Sequence, residues 1–156
     1  MPVSRCRTFP SGGCRLRTVD VDCGELDMTI ERYMVDGQLP PVSHYCHSVR
    51  AGNLVWVSGV VGMRADGTIP DDTVAQFDIA MDALDACLRA AGGKPEHVVK
   101  VQVFLTDISE RAAINPRRID YFGEHRPAST LVEVTALVDQ RMKVEIECQA
   151  VLPDVA

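Results

Sequence analysis

Lys143-Val144-Glu145-Ile146-Glu147-Cys148-Gln149-Ala150-Val151-Leu152 decides the fold. Val144, Ile146, Cys148 and Ala150 fall on one face, and Glu145, Glu147 and Gln149 on the other. A period of two is the pattern of a β-strand with one face buried. Before it, Ser129 to Val134 and the β-branched run Val98 to Leu105 read as two more strands. Between these two, Asn115 followed by Pro116 reads as N-cap and first position of a short helix. Ile119 and Phe122 would face its core and Gly123 would close it. Farther upstream, Asp71-Asp72 caps a five-turn helix whose apolar stripe is Val74, Phe77, Met81, Leu84 and Leu88, ended by Gly92-Gly93. Tyr45 to Arg50 and Leu54 to Ser58 form a hairpin about Ala51-Gly52-Asn53. From Ile30 the order is three strands, helix, strand, helix, two strands. That order predicts an α+β two-layer sandwich, a mixed sheet with both helices on one face. The opposite face, with Glu145 and Glu147 among apolar residues such as Trp56, Val60 and Val61, either meets water or is closed by another subunit.

The chain has 156 residues, ordinary for one domain, with 46% hydrophobic and 24% charged residues. Such usage excludes disorder throughout. Its net charge of −6 disfavours a sequence-independent grip on nucleic acid. No apolar run reaches the ~20 residues of a membrane span. The six cysteines show no C-x-x-C spacing, which points to reduced thiols and a cytoplasmic protein; Cys87 and Cys148 occupy apolar positions. Residues 1–27 carry Arg5, Arg7, Arg15 and Arg17 with no acid before Asp20 and no apolar signal core. They are expected to be a disordered extension ahead of a single domain over residues 28–156.

His44-Tyr45-Cys46-His47 is the densest group of ligand-type side chains, but no second cluster completes a tetrahedral metal site. No G-x-S-x-G elbow, G-x-G-x-x-G or P-loop occurs. Tyr45 reads equally as a half-buried strand residue, and Asn115 as a plain helix cap.

Five pieces in order carry more information: Gly52-Asn53-Leu54-Val55-Trp56-Val57-Ser58-Gly59, Gln76, Val98 to Asp107, Asn115 with Tyr121-Phe122, and Arg126-Pro127-Ala128-Ser129-Thr130-Leu131-Val132-Glu133-Val134 running on to the final strand. Together they resemble the Rid (YjgF-like) family of enamine/imine deaminases, from about residue 30 to the end. The resemblance implies a chorismate-mutase-like fold, a homotrimer, clefts between subunits and hydrolysis of 2-imino acids without cofactor or metal. It matches Tyr45 and Glu145 to catalytic positions, Glu145 positioning water. It matches Gly59, Asn115, Ser129 and Leu131 to substrate-binding positions. A carboxylate on a rigid strand can orient a water toward a C=N carbon, and proton transfer to the nitrogen completes the hydrolysis.

One departure stands out. The archetypal deaminases read Pro-Ala-Arg-Ser where this chain reads Pro127-Ala128-Ser129-Thr130. The missing arginine pairs with the substrate carboxylate, and a serine hydroxyl cannot reproduce a bidentate guanidinium. Arg126 reaches the cleft only by another path. Two functions follow as expectations. One is a hydrolase of a reactive enamine, imine or related metabolite that is not a simple 2-imino acid. The other is a non-catalytic trimer that binds a small metabolite. Ribonuclease activity gains nothing from a −6 chain.

Overall fold

The computed structural model describes residues 29–153, so the expected extension over residues 1–27 lies outside the described residues. The elements are β1 (Ile30–Tyr33), β2 (Ser48–Ala51), β3 (Leu54–Val61), α1 (Thr73–Ala90), β4 (Val98–Leu105), α2 (Arg111–Phe122), β5 (Ala128–Glu133) and β6 (Val144–Val151). The six strands form one sheet in the order β1-β2-β3-β6-β4-β5. All pairings are antiparallel except β4 with β5, whose parallel run needs the crossover that α2 provides. The fold is the expected α+β two-layer sandwich, a mixed sheet covered by two helices.

Alternation in β6 builds the core as expected. Val144, Ile146, Cys148 and Ala150 are buried beside Val101, Val103 and Leu105 of β4 and Phe77, Met81, Leu84 and Leu88 of α1. Cys87 and Cys148 are buried free thiols, pushed up by burial to about 11 and about 12. Asp72 caps α1 as read, accepting from the Ala75 N–H at 2.8 Å.

Three expectations are corrected. The second helix begins at Arg111, not at Asn115-Pro116. Asp107 caps a tight turn over Ile108–Glu110 through the Ser109 N–H, and that turn runs straight into α2. Pro116 therefore sits inside the helix, with no N–H to offer the Ala112 carbonyl. The core-facing pair of α2 also differs from the expected one. Ile114 and Phe122 are buried, whereas Ile119 is 63% exposed. The first hairpin strand starts at Ser48, leaving Tyr45 on the loop before it. The second strand runs past Ser58 to Val61, with a bulge between Val57 and Val60 where β3 meets β6.

Candidate active site

A cleft of about 690 Å³ opens beside the bulged end of β3. Tyr45, Ser58, Gly59, Val61, Glu145 and Glu147 line it, together with apolar side chains such as Leu39 and Met142. The wall that carries Tyr45 is held by His47. The Val35 N–H donates to His47 Nδ1 at 2.8 Å, so the ring proton is on Nε2, which donates to the Leu39 carbonyl at 2.8 Å. Ser58 joins this loop to β3, its Oγ donating to the Cys46 carbonyl at 2.7 Å. Tyr45 itself is 46% exposed.

Glu145 is half-buried, and among the described residues no hydrogen bond or ion pair reaches its carboxylate. It faces Val61 across the β3–β6 ladder. Burial first, and the Glu147 charge second, raise its pKa above the ordinary glutamate value. Glu147 differs in being partnered, accepting a hydrogen bond from Gln102 Nε2. Gly59 makes room for Glu145. A Cβ at position 59 would stand 2.8 Å from Glu145 Cδ, with Oε1 closer still. The absent side chain at Gly59 is thus the space in which the catalytic candidate lies. Its strand is fixed at the entry by Gln76, which is fully buried. Gln76 Nε2 donates to the Pro70 and Arg141 carbonyls at 2.6 and 2.9 Å, and its Oε1 accepts from the Lys143 N–H at 2.7 Å.

The other matched residues lie elsewhere. In the parallel β4–β5 register Ser129 is opposite Val101 and Leu131 opposite Val103, which puts both on the helix-covered side. Leu131 borders a shallow hollow with Arg111 and Ala112 at the start of α2. Asn115 is exposed on α2, one turn before Arg118. Arg118 Nη2 donates to Ser129 Oγ at 2.6 Å, which places that helix face beside β5. Within one chain the six residues form two groups: Tyr45, Gly59 and Glu145 in the cleft, and Asn115, Ser129 and Leu131 along the α2–β5 edge. Arg126 is exposed, at a positive φ of 20°. Among the described residues no three His, Cys, Asp or Glu side chains gather as metal ligands, and no helix is long and apolar enough to cross a membrane.

The family profile described as Endoribonuclease L-PSP matches residues 36–152. The chain belongs to the endoribonuclease L-PSP (YjgF/Rid) family. Within that family it is 34% identical over 114 residues to the 2-iminobutanoate/2-iminopropanoate deaminase of Escherichia coli, covering 70% of this chain and 88% of the relative. It is 31% identical over 121 residues to the 3-aminoacrylate deaminase RutC of Acinetobacter baylyi, covering 76% and 95%. Among solved structures, the YjgF gene product of E. coli superposes with a TM-score of 0.72 at 31% identity, covering 78% of this chain and 98% of that one. E. coli TdcF with bound serine gives 0.71 at 28% identity, covering 78% and 100%.

Glu147, Gln102, His47 and Arg118 escaped the sequence reading as site residues. Glu147 was legible, two positions from Glu145 on the same strand face. His47 stood in the noted cluster, but its role depends on the backbone of residues twelve and eight positions away. Arg118 left no signal, because its contact depends on which face of α2 lies beside β5.

Proposed function

We propose that this protein is a cofactor-independent Rid-type hydrolase. It converts a reactive enamine or imine, other than a simple 2-imino acid, to the carbonyl compound and ammonia. Glu145 carries the proposal: a half-buried carboxylate of raised pKa, without a partner among the described residues, in a cleft that Tyr45 and Gly59 share. The ionised carboxylate orients a water and accepts its proton as the oxygen adds to the C=N carbon. That proton passes to nitrogen, giving a carbinolamine; the carboxylate then takes the hydroxyl proton and hands it to the amine, so the C–N bond breaks and ammonia leaves as the carbonyl forms. An enamine enters the same path after protonation at carbon. Tyr45 covers the cleft and donates a hydrogen bond.

The working unit is a cytoplasmic homotrimer, with each cleft completed by a second copy. Two observations support this. The matched residues fall in two separate groups within one chain, and the open sheet face exposes Leu54, Trp56, Val132 and Val151. Asn115, Ser129 and Leu131 then come from the neighbouring copy. The E. coli and A. baylyi relatives, named as a 2-iminobutanoate/2-iminopropanoate deaminase and a 3-aminoacrylate deaminase, support this proposal.

A second function, a trimer that binds a metabolite without turning it over, is favoured by the serine at position 129. Ammonia release from 2-iminopropanoate, 2-iminobutanoate, 3-aminoacrylate and imines lacking a carboxylate separates the two, run beside Glu145→Ala. The hydrolase predicts release from at least one substrate, poor turnover of 2-iminopropanoate and loss in the variant. No release from any substrate leaves the binding trimer. A monomer by light scattering at micromolar concentration rejects the shared site.

A further inference from the structure

Two adjacent arginines on α2 differ sharply in how their charges are met. Arg117 is held by Asp78, Asp82 and Asp120, with the Asp82 contact at 2.6 Å. Arg118, its neighbour, has no carboxylate within ion-pair distance among the described residues. It is half-buried, its Nε is shut off from water without a partner, and one Nη2 bond to the Ser129 hydroxyl is its recorded contact. A guanidinium has five donors. A half-desolvated one, with no anion beside it among the described residues, carries a cost that a ligand's anion would relieve. Burial alone accounts for the downward pull on its pKa.

We propose that Arg118, seated on Ser129, is the anion-binding group of this protein, taking the carboxylate of an imine or enamine substrate. It rests on the proposal that the cleft is shared between copies, so that the α2–β5 edge of one copy faces Glu145 of another. The geometry also bears on substrate length. An arginine grown from position 129 would carry its guanidinium a whole side chain away from β5. Arg118 instead brings its guanidinium down onto the strand, against Ser129 Oγ. A carboxylate that meets it lies deeper, farther from the carbon that water attacks. The substrate class is therefore an imino or enamino acid with its carboxylate beyond the α-carbon. Ser129, small and hydroxylated, is the residue that lets Arg118 dock.

Chemical-shift titration of the full chain with three unreactive probes tests this: 4-oxopentanoate, 2-oxobutanoate and neutral 2-pentanone. The native protein should bind 4-oxopentanoate more tightly than 2-oxobutanoate, and 2-pentanone weakest. Arg118→Met should lose ~ten- to hundredfold in 4-oxopentanoate affinity, the range of charged hydrogen bonds. Arg118→Lys should retain part of it. Four results overturn the proposal. The native protein binds none of the probes or prefers the ketone. Arg118→Met melts lower yet binds unchanged, which makes the Ser129 contact a helix staple. Arg118→Met dissociates the assembly, which assigns the guanidinium to a partner's carboxylate. Arg64→Met, altering the arginine that lines the cleft, causes the loss instead. Binding through Arg118 without ammonia release from any imine would sink the hydrolase and leave the anion site standing.

Discussion

Gly59→Ala should abolish most turnover while leaving the fold intact. The new methyl would stand 2.8 Å from Glu145 Cδ and 3.2 Å from Cγ, inside the carboxylate's own space. What must yield is the far end of a flexible side chain. Swinging Glu145 outward costs a rotamer adjustment of about 1 kcal/mol and recovers some of its lost hydration. Net stability should change by no more than about 1 kcal/mol. The carboxylate, however, leaves the position from which it addresses water. A misplaced general base costs roughly 10²–10³ in rate. Gly62→Ala is the contrasting control. There the methyl would meet the α1 backbone, with the Gln76 carbonyl oxygen at 2.5 Å and Gln76 Cα nearer. Backbone cannot step aside, so that variant should lose several kcal/mol or fail to fold. Thermal melts and ammonia release on both variants make the comparison. Full turnover by Gly59→Ala, or unfolding at that site, would refute the placement of Glu145.

Three further outcomes follow from the same geometry. Gln76→Leu strands the Lys143 N–H and the Pro70 and Arg141 carbonyls, at roughly 1–3 kcal/mol for each group left buried, so its melting temperature should fall on the order of 10 °C; an unchanged melt would mean that water replaces the amide. Glu147→Gln removes the like charge that helps hold Glu145 above its ordinary pKa, so the acid limb of the rate profile should move to lower pH, though only in part because burial remains the larger cause. For stability the sign is opposite to that of a salt-bridged acid: Glu145 favours the fold most below its unfolded pKa and loses that contribution as pH rises through its raised folded value. An unmoved limb would show that Glu145 is not the titrating base. Ser129→Arg alone should place two guanidinium groups together and raise 2-iminopropanoate turnover less than Ser129→Arg with Arg118→Met; equal gains from both would show that Arg118 stands clear of position 129.

Most of the fold was legible because β6 and α1 each carry an unbroken period, of two or of three and four, over their whole length, and β4 is a β-branched run. Such periodicity survives any choice of neighbours. The start of α2 was not legible, because Asn115-Pro116 satisfies every local rule for a helix start. A capped turn at Asp107 overrides that signal from eight residues earlier. The Arg118–Ser129 contact was hidden as well, since the sequence does not say which face of α2 lies against β5. In the candidate site, Glu145 could be read from its strand face and from family resemblance. That Gly59 serves as the recess for its carboxylate could not, because the bulge in β3 sets the two side by side. The division of the matched residues into two groups depends on sheet order, which places β5 at an edge and β3 inside.

Subunit complementation tests the central claim, that Glu145 works in a cleft completed by a second copy. Glu145→Gln disables one group, and Ser129→Trp fills the α2–β5 edge of the other. Each variant alone, once shown to melt and assemble normally, should release almost no ammonia. Co-assembled in equal amounts, they should recover about a quarter of native activity, the share of clefts that pair an intact Glu145 with an intact edge when copies mix at random. A mixture no more active than the sum of its parts would contradict the shared cleft.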